Sequence, residues 1–262
     1  MMVTRRGSLG PSRDEWRWVK VPQPTVYFWI VLILVTGAGE SMADFLIGSP
    51  ALDGTGPLYA VGALFAGVLW FQIRSPRYVP EIYWSAVVLA SIVNTLVADS
   101  LPGGFGISLA RAAVTFGGAL ITTFSTWYLS EKTLSVNDII TIRQEIFYWL
   151  TVMFAFALGT ETGDIVSRDL GLGYGATTLL FAGLVSLVTA ARSRFGLDAV
   201  VTFWIVYVLA RPLGVCLGDA VSHPRGDGGL ELGFFNTSIA FLSLVLGLML
   251  CLGTPRGDET LL

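Results

Sequence analysis

The chain has 262 residues, of which 53% are hydrophobic and only 13% charged; its mean hydropathy is +0.69 and its net charge −3. A soluble domain carries about 25% charged residues, so the composition excludes one and points to a membrane protein. Cys216 and Cys251 both lie in apolar stretches, which argues against a disulfide framework, and a lone His223 excludes a histidine-rich metal site.

Residues 1–20, MMVTRRGSLGPSRDEWRWVK, are polar, basic and aromatic, with no apolar signal-peptide core. They read as a retained cytoplasmic leader. Crossing a hydrocarbon core of about 30 Å takes roughly 20 helical residues. Eight segments qualify: 24–47, 57–73, 80–101, 107–129, 145–167, 174–192, 198–221 and 233–253. Gly, Pro, Ser and Asp fill the connections, as in GSPALDGTGP and LPGGFG. The expected organisation is one transmembrane domain over 21–253, followed by a cytoplasmic tail over 254–262.

Lys and Arg favour the cytoplasmic side of a membrane. The leader holds Arg5, Arg6, Arg13, Arg17 and Lys20. Arg74 and Arg77 follow segment two, Lys132 and Arg143 segment four, Arg192 and Arg194 segment six, and Arg256 lies in the tail. The alternate connections hold only Arg168, after segment five, and Arg225, after segment seven. Both termini are therefore expected in the cytoplasm, which requires an even number of spans.

The odd segments align without gaps as FWIVLILVTGAGESMAD, YWSAVVLASIVNTLVAD, YWLTVMFAFALGTETGD and FWIVYVLARPLGVCLGD. Each opens on an aromatic–Trp pair, at Trp29, Trp84, Trp149 and Trp204, and closes on an aspartate 15 residues later, at Asp44, Asp99, Asp164 and Asp219. The Trp steps of 55, 65 and 55 residues suggest a two-helix unit duplicated twice, with repeats at 24–75, 79–130, 144–193 and 198–253. The expected fold is all-α, a polytopic bundle of about eight helices built from four tandem two-helix repeats in parallel.

The tryptophans alone read as an ordinary interfacial belt. The aspartates lie about 22 Å further along each helix axis, where a short acid must face protein or water. Parallel repeats would bring all four to one depth around a shared axis. The pairs Gly39/Ala43, Gly159/Gly163 and Gly214/Gly218, with Asn94/Ala98 as the imperfect member, read as close helix-packing sites.

Residues four apart share a helix face. Reading back from each aspartate gives Thr36–Glu40–Asp44, Ser91–Thr95–Asp99, Phe156–Thr160–Asp164 and Arg211–Val215–Asp219. Glu161 adds a sixth carboxylate to Glu40 and the four aspartates, against one base, Arg211. Such a cluster either holds protons or binds a cation. Oxygen donors, with Thr95, Thr160 and Asn94 as neutral ligands, suit Mn²⁺, Mg²⁺ or Ca²⁺ better than Cu or Zn, with Mn²⁺ or Mg²⁺ the expected cargo. The competing reading makes the acids structural ion pairs, with Arg211 on one aspartate and Arg111 on Asp99. Arg211-Pro212 also interrupts a helix ladder, as a kink or part of a gate.

Cys216, Asp219 and His223 stand at i, i+3 and i+7, the spacing of a metal-binding face, but Pro224 ends the helix there and no other repeat has Cys or His in these places. The preferred reading is a packed cysteine and a loop histidine. There is no P-loop, GxSxG, HExxH or GxGD aspartyl signature, and GLGYG at 171–175 reads as a turn. An enzyme is not expected.

The repeated FW…GD units, FYWLTVMFAFALGTETGD, GLGYG and LARPLG…GD…GGLELG resemble a bacterial family of multi-spanning membrane proteins, described by a short repeat of unknown function occurring four times per chain. The resemblance runs from Val21 to about Cys251. It implies an eight-helix bacterial inner-membrane protein and carries no activity with it. The chain departs from the family pattern at Glu161, where a small residue is usual, and at Asn94, where Gly or Thr is usual.

The expected function is transport of a cation, a divalent metal with protons as the coupled ion. Asp44, Asp99, Asp164 and Asp219 form the ring, Glu40 and Glu161 add charge, and Arg211 is the internal counter-charge. The alternative is a sensor or scaffold. The expected partners are the lipid bilayer and a small cation, with no nucleic acid and a homo-oligomer left open.

Overall fold

Helix starts follow local chemistry. Thr25 Oγ1 accepts from the Phe28 N–H at 3.3 Å and opens the first helix, and Asp198 accepts from the N–H groups of Val200 and Val201 to open the seventh. Thr141 and Gln144 form a reciprocal capping box at the fifth. Gly106 and Gly196, both at positive φ, close the third and sixth.

A computed structural model describes residues 19–49 and 55–252. It holds α1 (Val26–Ile47), α2 (Gly56–Arg74), α3 (Pro80–Phe105), α4 (Leu109–Glu131), α5 (Ile142–Asp164), α6 (Tyr174–Phe195), α7 (Ala199–Ser222) and α8 (Phe234–Leu252). There is no strand among the described residues. The all-α bundle expected from the repeats is the one observed. Seven helices are long and apolar enough to cross a membrane. The eighth, α4, has the length at 23 residues, but its Thr and Ser residues dilute its apolarity. α5 runs on into a π-helical turn, Ile165–Asp169, and α7 continues unbroken through Pro212.

The odd helices are the core. Their apolar windows are 56 to 67% buried, against 17 to 22% in α2, α6 and α8. α1 and α5 each pack on both α3 and α7, which closes a four-helix ring. Each even helix lies outside the odd helix of the next unit: α2 on α3, α4 on α5, α6 on α7, and α8 back on α1. The repeat is therefore two helices in sequence, but its packed unit joins neighbouring repeats, and the last unit locks onto the first.

At one end of the ring, the aromatic of each pair touches the tryptophan of the following repeat. Phe28 meets Trp84 at 5.7 Å, Tyr83 meets Trp149 at 5.7 Å, Tyr148 meets Trp204 at 6.2 Å, and Phe203 meets Trp29 at 5.4 Å. This cyclic pattern has the fourfold parallel symmetry the sequence implies. It also corrects the interfacial-belt reading. Trp84, Trp149 and Trp204 are buried and only Trp29 is half-buried, so the rings seal the core instead of facing headgroups.

The same end carries a buried ionic knot. Lys20 Nζ lies 2.7 Å from Glu145 Oε2 and donates to the Ile73 carbonyl, while Gln72 Nε2 donates to Glu145 Oε1 at 3.0 Å. All three side chains are buried. Lys20, counted in the sequence among the basic residues of the leader, is thus tied into the bundle and joins α2 to α5.

Small residues set the helix spacing. A Cβ on Gly218 would lie 2.7 Å from the Gly37 carbonyl oxygen, one on Gly214 would collide with Thr36, and one on Gly39 would collide with Ser91. At Gly159 a Cβ would lie 2.5 Å from Arg211 Cγ and 2.9 Å from Pro212 Cδ. Gly159→Leu is therefore expected to push Arg211 off the axis. Overpacking of this kind costs about 1–3 kcal/mol, which thermal unfolding of the purified protein would register.

Candidate functional site

The polar stripes converge on the axis. Arg211, on α7 and fully buried, is held by α1, α3 and α5. Its Nη2 lies 3.2 Å from Glu40 Oε2 and donates to Thr95 Oγ1 at 2.8 Å and Thr160 Oγ1 at 2.9 Å. Its Nη1 donates to Ser91 Oγ at 2.5 Å and to the Thr36 carbonyl at 3.1 Å. The Thr95 hydroxyl in turn donates to Glu40 Oε2 at 2.7 Å, and the guanidinium stands 5.2 Å from the Phe156 ring. Each of the other three stripes thus contributes two residues to the shell of Arg211.

Two ion pairs expected from the sequence differ. Arg211 pairs with Glu40 and not with an aspartate. Arg111 is exposed and donates to Ser108 and to the Gly106 carbonyl, away from Asp99. Asn94 also departs from its expected place. Its amide donates to the Ala90 carbonyl at 2.8 Å and reaches Met153 Sδ at 3.3 Å, because it stands one residue before Thr95 and so off the stripe.

One turn beyond Glu40, Thr95 and Thr160, and two beyond Arg211 along α7, lie the four aspartates. Asp164 is near enough to interact electrostatically with Asp44, Asp99 and Asp219, Asp44 also with Asp99 and Asp219, and Arg168 with all four. Arg168 Nε lies 3.5 Å from Asp164 Oδ1 and its Nη2 lies 3.9 Å from Asp219 Oδ2. Glu161, fully buried, sits in the field of Asp164 and Asp99. Buried polar atoms in proteins are nearly always hydrogen-bonded. Yet Asp44 Oδ2, both Glu161 oxygens, Asp164 Oδ1 and both Asp219 oxygens receive no hydrogen bond among the described residues.

Arg168 escaped the sequence reading, counted only as a loop base. His223 was weighed there as part of a metal face with Asp219, but a loop residue was preferred. His223 Nδ1 lies 3.7 Å from Asp219 Oδ1, and one ligand atom from each of Asp44, Asp219 and His223 falls within 4.8 Å of the others. Both residues stand four positions after a repeat aspartate. The same step of four that built the stripes, carried forward, reaches them. Cys216 is buried beside Gly163, as a packed cysteine.

The layers along the axis are an aromatic seal, a densely hydrogen-bonded arginine–glutamate centre and an under-satisfied carboxylate layer with Arg168 and His223 at its rim. Four repeats, seven apolar helices and buried charge at one depth define a multi-pass membrane protein built by internal duplication. The chain belongs to the family described as Repeat of Unknown Function (DUF347), whose model matches residues 82–133, 147–197 and 202–254. Those stretches carry the second, third and fourth units, and α1 with α2 takes the remaining place in the ring. No curated protein and no solved structure matches the chain.

Proposed function

We propose that this protein transports a small cation, a divalent metal exchanged against protons, through the axis of its four odd helices. One observation carries the reading. Six carboxylates (Glu40, Asp44, Asp99, Glu161, Asp164 and Asp219) face one buried guanidinium, Arg211, and one at the rim, Arg168, and six of their buried oxygens lack a hydrogen-bond donor among the described residues. Unpaired acids at membrane depth are costly and mark ion pathways. A cation would supply both the missing charge and the missing coordination.

The layers take different parts. Asp44, Asp99, Asp164 and Asp219 form the binding ring, with Glu161 adding charge. Arg211 occupies the inner position against Glu40, Thr95 and Thr160, where it serves as the internal counter-charge that a cation must displace. Oxygen donors in this number suit Mn²⁺ or Mg²⁺. The basic connections support an orientation with the aromatic end and both termini on the cytoplasmic side of a plasma (inner) membrane. The position of α4 in the outer ring, equivalent to that of α2, α6 and α8, supports eight spans.

A second reading, a non-transporting sensor or scaffold, draws on the hydrogen-bonded Arg211–Glu40 centre, which pins four helices whether or not an ion passes. The two readings part on the outer ring. A divalent ion is expected to raise the melting temperature of the wild type and leave the Asp44→Asn/Asp164→Asn variant unmoved. No shift with any ion, together with early melting of the variant, would favour the scaffold.

A further inference from the structure

We infer that Asp44, Asp219 and His223 form a mixed oxygen–nitrogen site at the rim of the carboxylate layer that selects divalent first-row transition ions, Mn²⁺ to Zn²⁺, over Mg²⁺ and Ca²⁺. This rests on the cation reading above and names the class of ion it takes. The argument starts from the histidine. Mg²⁺ and Ca²⁺ are bound through oxygen, whereas imidazole suits Zn²⁺ and its neighbours. Acids alone would not discriminate between the two groups.

Three features make the place a site and not a chance approach. Asp219 is fully buried and neither of its oxygens receives a hydrogen bond, with Arg168 and His223 standing off at 3.9 and 3.7 Å. The three ligand atoms lie within 4.8 Å of one another. Donors at about 2.1 Å from a metal need only side-chain rotation to close that gap. The imidazole is also held in place. Tyr174 stands 4.6 Å from its ring and Phe234 meets it edge-on at 5.1 Å.

The backbone of His223 is fixed as firmly. Its N–H donates to the Asp219 carbonyl, and its own carbonyl accepts from the Glu231 N–H at 2.9 Å. The returning loop passes so close that a Cβ on Gly229 would collide with the His223 carbonyl. Facing the trio are Arg168 from the π turn, Asp164 from α5 and Glu40 from α1. Arg168 supplies positive charge when no metal is present. With its side chain 41% exposed, it has room to swing outward as an ion enters.

The test is a titration of the full-length purified protein with Co²⁺, Mn²⁺, Mg²⁺ and Ca²⁺, each alone, read by thermal shift. Wild type, His223→Gln and Asp44→Asn/Asp164→Asn are compared, and echo-modulation EPR on Mn²⁺-loaded wild type reads any directly bound nitrogen without a mutation. The expected result is a nitrogen coupling, and a Co²⁺ midpoint in His223→Gln raised about 10-fold or more while its Mg²⁺ midpoint stays put. Equal Co²⁺ midpoints in the two proteins, with no nitrogen coupling, would overturn the inference. If ions still bound and the aspartate variant alone lost them, the cation reading would survive that failure. If no ion moved the wild type, the cation reading itself would fall.

Discussion

Replacing Arg211 with Met is expected to destabilise the protein more than any other single change to the core. Removing one partner of a buried ion pair costs about 3–5 kcal/mol, because the other charge is left uncompensated. Here Glu40, with a side chain 2% exposed, would keep only the Thr95 hydroxyl. Ser91 and Thr160 would lose a donor as well. The companion change makes the argument specific. Arg211→Met/Glu40→Gln removes both charges, and buried pairs exchanged for neutral groups of similar volume are often tolerated. The double variant is therefore expected to recover most of the loss in thermal unfolding. An Arg211→Met protein that melts like the wild type would remove Arg211 from the centre of the fold.

The outer layer should behave in the opposite way. Asp44→Asn is expected to leave the melting temperature unchanged or to raise it, while abolishing cation binding. Asp44 has an oxygen without a donor and lies in the field of Glu40, Asp99 and Asp164. No hydrogen bond reaches its Oδ2 among the described residues, and neutralising the side chain relieves like-charge repulsion. A structural acid would show the reverse, losing stability with its charge. The two layers, one turn apart on the same stripes, thus carry opposite signs of effect, which unfolding curves with and without metal would resolve.

Much of this arrangement was legible in the chain. The 15-residue step from Trp to Asp fixed four parallel helices with their acids at one depth, and the period of four picked out Thr36, Ser91, Thr95 and Thr160 before any contact was known. Other features depend on information that no single helix carries. The packing of each even helix on the next repeat is a choice among neighbours, and each helix's own periodicity permits several. The tryptophans looked interfacial because hydropathy reports distance from a helix end and not which face turns inward. Arg211 chose Glu40 because Gly159 opens space for its stem beside α5, a packing detail invisible in a charge count. Arg168 was missed, and His223 set aside, for a simpler reason. The stripes were read back from each aspartate and never forward, past helix ends that the π turn and the α7 cap in fact extend.

The most direct test of the central claim is flux. Purified protein in proteoliposomes, with Mn²⁺ outside and a metal-sensitive dye inside, would be compared with Asp44→Asn, Asp164→Asn and Asp219→Asn in matched vesicles. The account predicts saturable Mn²⁺ entry by the wild type, accompanied by proton movement in the opposite direction, and a fall of about 100-fold or more in each folded variant, the rate expected of about 2.7 kcal/mol lost from the passing ion. Wild-type vesicles no leakier to Mn²⁺ than empty ones, or variants that carry it as fast as the wild type, would contradict it.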